Sequence, residues 1–208
     1  MILLKDIYLL LCLMSRELFE TIRVENFSPF HIEYHNKRFN ESRKALFGVK
    51  DEFDLSSIIT PPNEKLLRCR IVYDKDIISI NYFEYLPKKI STIGIVKSDL
   101  DYRFKYNNRE EINMLLSKYP QVDEIIIEKD GYLTDSSIAN IAFFDGRAWI
   151  TPKKPLLNGT TRKRLLNVKF LRMADIKSSD IESFSGFALM NAMIEFSIQN
   201  NIHIINLN

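Results

Sequence analysis

Residues 131–143 read GYLTDSSIANIAF, a polar cluster wedged between strand-like apolar runs at 124–128 and 138–144. No other stretch constrains the chain as tightly, because apolar runs this short, bounded by turn residues, suit strands better than helices. Lys129-Asp130-Gly131 marks a tight turn, and Asp145-Gly146 joins 138–144 to 148–150 as a hairpin. Ile150-Thr151-Pro152 follows, and then Leu157-Asn158-Gly159-Thr160-Thr161-Arg162, whose Gly-Thr-Thr opens a helix running to Leu166. Read locally, those threonines are a helix cap satisfying orphan amides. They are also placed where a helix N-terminus receives a phosphate.

The rest of the chain alternates strand and helix signals. Residues 18–24 (LFETIRV) alternate as a strand, 26–29 form a turn, and 35–47 carry apolar residues at helical spacing before Gly48. Thr60-Pro61-Pro62 breaks the chain, and strands at 67–73 and 77–85 follow, joined by Asp74-Lys75-Asp76. Leu86-Pro87-Lys88-Lys89 is the expected lobe boundary, giving a small N-terminal lobe (1–86) and a larger C-terminal lobe (87–208). The second lobe reads as strand 90–96, helix 107–118 and strand 124–128, with 187–193 and 202–205 returning to the sheet at the end. Several strands with scattered helices make an α+β protein.

Composition excludes several classes. With 29 Lys+Arg against 27 Asp+Glu the formal charge is +2, which gives no general electrostatic reason to bind nucleic acid or an anionic membrane. A content of 1 Trp, 9 Tyr and 14 Phe excludes disorder. Two cysteines, Cys12 and Cys69, and three histidines, His31, His35 and His203, stand in no zinc-like spacing, so neither a metal site nor a disulfide framework is expected. The apolar segment 2–14 (ILLKDIYLLLCLM) is too short to span a bilayer and lacks a small-residue cleavage site after it. It reads as a buried strand or helix, or as sequence upstream of a true start at Met14, and the expected address is cytoplasmic.

The order of the motifs carries more than any one of them. Gly131, Asp135, Ser136, Ser137, Asn140, Thr151-Pro152 and Gly159-Thr160-Thr161-Arg162, preceded by Phe19-Glu20-Thr21-Ile22-Arg23-Val24 and His35-Asn36-Lys37-Arg38, form a series. It resembles the class IV (fold type IV) pyridoxal-phosphate enzymes, which include branched-chain and D-amino acid aminotransferases and aminodeoxychorismate lyase. The resemblance runs from Leu18 to the C-terminus. It implies a two-lobe fold with the site at the lobe junction, pyridoxal 5'-phosphate as cofactor, a small-molecule amino substrate and a homodimer.

The resemblance also implies roles for single residues. The cofactor aldehyde is held by a lysine amine that later moves protons at the substrate's α-carbon. The family's lysine precedes the acidic position by about thirty residues, and Lys105 stands 30 before Asp135, after an apolar strand, among aromatics and ahead of Asn107-Asn108-Arg109. Burial there leaves a nucleophilic amine. Asp135 faces the pyridine nitrogen, where most relatives have glutamate; read locally it is a turn residue. Arg38 takes the cofactor phosphate, since a guanidinium matches phosphate oxygens in bidentate fashion; otherwise it is a solvated helix arginine. Asn140, the amides of Thr160 and Thr161, and Asn191-Ala192 complete the cofactor set. Arg23 and Arg70 are candidate cations for substrate carboxylates or exposed strand residues, whereas Tyr106 and Tyr132 read as packing.

Three functions follow as expectations. The first is an aminodeoxychorismate lyase-like enzyme releasing pyruvate and 4-aminobenzoate, suggested by Asn108-Arg109 after the lysine and by the FETIRV strand. The second is an aminotransferase of D-amino or branched-chain acids. The third is a binding protein of this fold without catalysis, suggested by the short chain, the missing opening strand and Asp135 in place of glutamate.

Overall fold

The computed structural model describes residues 17–208, so the apolar segment 2–14 lies outside the described residues. The architecture is α+β with sheets dominating. Strands β1 (Leu18–Glu25), β2 (Ser28–Pro29), β3 (Leu67–Tyr73) and β4 (Ile77–Glu84) form an antiparallel sheet in the order β2-β1-β3-β4. Helix α1 (Ile32–Phe47) lies on one face and ends at Gly48, whose left-handed φ of 70° lets its amide close back on the Lys44 carbonyl.

Alternation along β1 assigns its faces. Leu18, Ile22 and Val24 join Phe39 of α1 and Leu67, Cys69, Ile71 and Tyr73 of β3 in one core, with Glu20 on the same parity. Each such aliphatic side chain stabilises the fold by roughly 1.5–3 kcal/mol on burial. Phe19 and Thr21 therefore point to the other face. The register pairs Thr21 with Arg70 and Arg23 with Arg68, so β3 presents its two arginines beside them.

The second sheet is built from β5 (Thr92–Lys97), β6 (Glu124–Lys129), β7 (Tyr132–Ser136), β8 (Asn140–Phe144), β9 (Trp149–Pro152), β10 (Leu171–Ala174), β11 (Gly186–Asn191), β12 (Glu195–Ile198) and β13 (His203–Asn206). Their order is β10-β9-β8-β7-β6-β5-β13, with β11 pairing β8 and β12. Ile93, Ile95, Ile126, Ile141, Phe143 and Leu189 fill one face. On the other, Val96, Ile125 and Ile127 pack with Leu115 and Leu116 of helix α2 (Glu110–Ser117), and Ala142 and Met190 with Leu165 of helix α3 (Thr160–Asn167).

Positive φ at Asp130 (53°) and Gly131 (78°) makes the expected turn between β6 and β7, and Asp145-Gly146 turns β8 into β9. The sequence hid β7, because its buried residues Thr134, Asp135 and Ser136 are polar. The expected strand 138–144 begins only at Asn140, since the Ser136 amide closes a turn on the Ala139 carbonyl at 2.8 Å. Helix α2 starts at Glu110 rather than 107, because the Asn107 amide is taken by the Glu17 carbonyl and the Asn108 side chain accepts from the Glu110 amide. Among the described residues no helix is long and apolar enough to cross a membrane, and no group of His, Cys, Asp and Glu is placed to hold a metal ion.

Candidate active site

The first sheet ends at Glu84 and the second begins at Thr92, yet the chain returns to the first sheet once more. Tyr106 bridges to Leu18, the Phe19 amide donates to the Lys105 carbonyl at 2.9 Å, and the Asn107 amide donates to the Glu17 carbonyl at 2.8 Å. This pairing fixes Lys105 against β1, at the seam between the sheets. A cleft of about 430 Å³ opens there, lined from one side by Phe19, Thr21, Arg68 and Arg70 and from the other by residues of β7, β8, α3 and β11.

The Lys105 Nζ lies 4.5 Å from the centre of the Phe19 ring. Burial, helped by the neighbouring Arg38 cation, lowers its pKa to about 7, against the opposing pull of Glu20. At neutral pH a large share of this amine is therefore unprotonated and nucleophilic.

Behind β1 sits a group that reading the sequence missed. Glu20 is fully buried; one oxygen is 2.6 Å from His35 Nδ1, and Arg38 donates to it twice, Nε to Oε1 at 2.8 Å and Nη2 to Oε2 at 2.5 Å. Burial alone pushes the Glu20 carboxyl up, but the Arg38 guanidinium and the His35 hydrogen bond outweigh it and hold the pKa at about 2. Burial also keeps His35 below its usual value despite Glu20. The signal was present in the sequence. His35 and Arg38 are three apart on a helix and so share a face, and a carboxylate on a buried parity of the adjoining strand needs partners. Arg38 is thus not the solvated helix residue of the local reading: Glu20 takes Nε and Nη2 but not Nη1, and the side chain lines the cleft.

The opposite wall carries a buried carboxyl. Asp135 Oδ1 accepts from Asn140 Nδ2 at 2.7 Å and Oδ2 accepts from the Leu157 amide at 2.8 Å. Burial raises its pKa to about 6, against the lowering effect of those two donors. Asn140 also donates to the Leu157 carbonyl at 2.8 Å, so the side chain that orients Asp135 is itself pinned to the loop before α3. Gly159 is required there, since a Cβ would sit 2.0 Å from Asn140 Oδ1. Gly159 is the N-cap of α3 and the helix begins at Thr160, so neither threonine occupies the N-cap position of the local reading. Thr160 lines the cleft; Thr161 is buried beside it without lining it.

Asn191 and Ala192 also line the cleft, at the end of β11. The Asn191 carbonyl oxygen Oδ1 accepts from the Met193 and Ile194 amides at 2.9 and 3.1 Å, and Nδ2 donates to the Ile138 carbonyl at 3.2 Å. Arg70 lines the cleft with its guanidinium 4.0 Å from the Phe19 ring centre. Arg23, on the next position of the same face of β1, stands outside the lining; it donates to Glu25 at 2.6 Å and to the Met193 carbonyl at 3.4 Å. Tyr102 and Arg109 also line the cleft, although Arg109 entered the sequence reading only through the Asn108-Arg109 pair and Tyr102 not at all. Arg109 donates to the Ser137 carbonyl at 2.6 Å and to the Tyr102 hydroxyl at 3.2 Å, tying α2 to the turn after β7. Tyr106 packs against the first core, and Tyr132 lies away from the cleft.

Comparison with known proteins places this geometry among relatives. The amino-transferase class IV family profile matches residues 102–199. An uncharacterized protein of Haemophilus influenzae is 37% identical over 182 residues, covering 85% of this chain and 97% of the relative. A crystal structure from Haemophilus somnus that carries the provisional name 4-amino-4-deoxychorismate lyase superposes with a TM-score of 0.78 at 36% identity, over 85% of this chain and 96% of that one. A hypothetical aminotransferase from Mycobacterium tuberculosis in its PLP-bound form shares the fold, with a TM-score of 0.76 at 16% identity over 94% of this chain and 83% of that one.

Proposed function

This chain belongs to the amino-transferase class IV family, and from that membership we propose that it is a pyridoxal-phosphate-dependent lyase, cleaving an aminodeoxychorismate-like substrate to 4-aminobenzoate and pyruvate. The observation that carries the proposal is the Lys105 amine, lowered to about 7 in a cleft that has a buried carboxyl on its opposite wall. The residues present fit the cofactor. A phosphorylated pyridine aldehyde needs a cation and free amides at one end, an amine beside its aldehyde and an anion at its ring nitrogen. Arg38 with the first turn of α3, Lys105 and Asp135 are groups of those three kinds around one cavity.

Arg38, the amides of Thr160 and Thr161, and Asn191-Ala192 would hold the phosphate. Asp135 would hold the ring nitrogen, with Asn140 keeping the carboxyl aimed. When bound, pyridoxal phosphate supplies an aldehyde for the amine and a ring that withdraws electrons from the substrate's α-carbon. The neutral Lys105 amine would be the base that takes and returns a proton at that carbon, and its pKa near 7 suits both directions at neutral pH. Arg70 is available to a substrate carboxylate. The division of lobes at 86/87, a homodimer and a cytoplasmic address belong to the same proposal.

The lyase reading rests on the Haemophilus somnus relative and on Asn108-Arg109 following the lysine. The second reading, an aminotransferase, is favoured by the match of residues 102–199 to the amino-transferase class IV family. Incubating the cofactor-loaded protein with aminodeoxychorismate separates them. Release of 4-aminobenzoate, with D-alanine and L-leucine leaving the cofactor's absorption band unchanged, is the expected result. Conversion of the cofactor to its amine form by either amino acid, without any 4-aminobenzoate, overturns the lyase reading in favour of the transferase.

A further inference from the structure

The cleft holds more positive charge than a cofactor phosphate requires. Among the described residues, ion pairs engage Arg23, Arg38, Arg43, Arg103 and Arg164, but none engages Arg68, Arg70 or Arg109, which all line the cleft. The two deeper guanidiniums are held by neutral acceptors instead. Arg70 Nη2 donates to Asn107 Oδ1 at 2.6 Å, and it is the amide of Asn107, not the arginine, that reaches the Glu17 carboxylate at 2.7 Å. Arg109 is held by the Ser137 carbonyl and the Tyr102 hydroxyl. Positive groups gathered without counter-charge in a half-buried cleft oppose one another, and Arg70 feels both Arg68 and Arg109. Such an arrangement is relieved by an anionic ligand and raises its local concentration.

We propose that Arg70 and Arg109 form two separate carboxylate anchors, so that the site selects amino substrates bearing two carboxylates over those bearing one. This rests on the proposed function, because it takes the same cleft as the substrate site. The two guanidiniums have different supports. Arg70 comes from the middle of β3 and Arg109 from the N-cap of α2, each fixed by its own partners. Arg70 and the Lys105 amine both lie against the Phe19 ring, at 4.0 and 4.5 Å from its centre, so Arg70 takes the carboxylate that lies nearer the reacting carbon in space. Arg109, on the Ser137 side, takes the distal one. Guanidiniums suit this task because each offers two parallel donors to one carboxylate.

Calorimetric titration of the cofactor-loaded protein with glutarate, butyrate and inorganic sulfate tests the assignment. Glutarate is expected to bind at least about tenfold more tightly than butyrate, a difference of about 1.4 kcal/mol. Arg109→Gln should abolish that preference, Arg109→Lys should restore part of it, and Arg70→Gln should weaken both acids. If Arg109→Gln fails to fold once its bond to Ser137 is lost, the wild-type ratio and its decline with added salt decide the matter. Equal binding of glutarate and butyrate, or sulfate binding as tightly as glutarate, overturns the dicarboxylate site while leaving cofactor chemistry at Lys105 intact. Conversely, a protein that takes up no cofactor yet still prefers glutarate overturns the proposed function and supports the two anchors.

Discussion

At the scale of single residues, the site is a set of charges whose pKa values have been moved by burial in opposite directions. Lys105 is brought down to about 7 and Asp135 up to about 6, so the amine and the carboxyl titrate within reach of neutral pH. Glu20 moves the other way, to about 2, because Arg38 and His35 satisfy it. Its folded pKa lies below the ordinary 4.5, so Glu20 contributes stability that is fully present above pH 4.5 and is lost as pH falls from there to about 2. Glu20→Gln removes the anion and leaves Arg38 enclosed without a counter-charge, which is expected to cost about 3–5 kcal/mol. Urea unfolding followed between pH 2 and pH 6 checks both statements. The variant should be less stable at pH 6, and its stability should fall less than the wild type's on acidification. Sequence reading found Arg38 and His35 as a motif but not the residue that aims them, since strand alternation places Glu20 among core positions where a carboxylate has no meaning until α1 is docked.

At the scale of elements, the site depends on where backbone is allowed to approach side chain. The Asn140 amide fills the space a side chain at position 159 would need, and through it the loop before α3 controls the orientation of Asp135. Gly159→Ala places a methyl group 2.0 Å from Asn140 Oδ1, so Asn140 must turn away and release Asp135. The expected cost is about 1–3 kcal/mol of stability, together with a cofactor affinity weaker by tenfold or more. Thermal melts and a cofactor titration followed by absorbance measure the two effects. Unchanged affinity would show that Asn140 does not position the carboxyl. Turns and strands with clear chemistry were legible: the Asp130-Gly131 and Asp145-Gly146 turns, the alternation of β1 and the opening of α3 at Gly159 all come from local residue preferences. The edges of β7, β8 and α2 were not. Thr134, Asp135 and Ser136 disguise a strand because they are polar, the last two lining the cleft and Thr134 donating to the Ile127 carbonyl, and Asn107 is drawn from the helix by its bond to the Glu17 carbonyl, a long-range contact that periodicity does not carry.

At the scale of the whole molecule, the cleft is assembled from both sheets. β1 and β3 supply Phe19, Thr21, Arg68 and Arg70; the second sheet and α3 supply Asp135, Asn140 and Thr160; and the Lys105 segment crosses from one to the other. The order of motifs along the chain pointed to a shared site, and residues as distant as Arg38 and Thr160 do line one cavity. What order could not give was the contrast among arginines. Arg23 and Arg70 read alike as strand cations, but the first is paired with Glu25 outside the cleft and the second faces it without a carboxylate partner. The central claim, that Lys105 is the amine that holds the cofactor, is tested most directly by adding pyridoxal phosphate to the protein, reducing with borohydride and mapping the labelled peptide by mass spectrometry. One phosphopyridoxyl group on Lys105 is the predicted result; a label on another lysine with Lys105 unmodified, or no label at all, would contradict it.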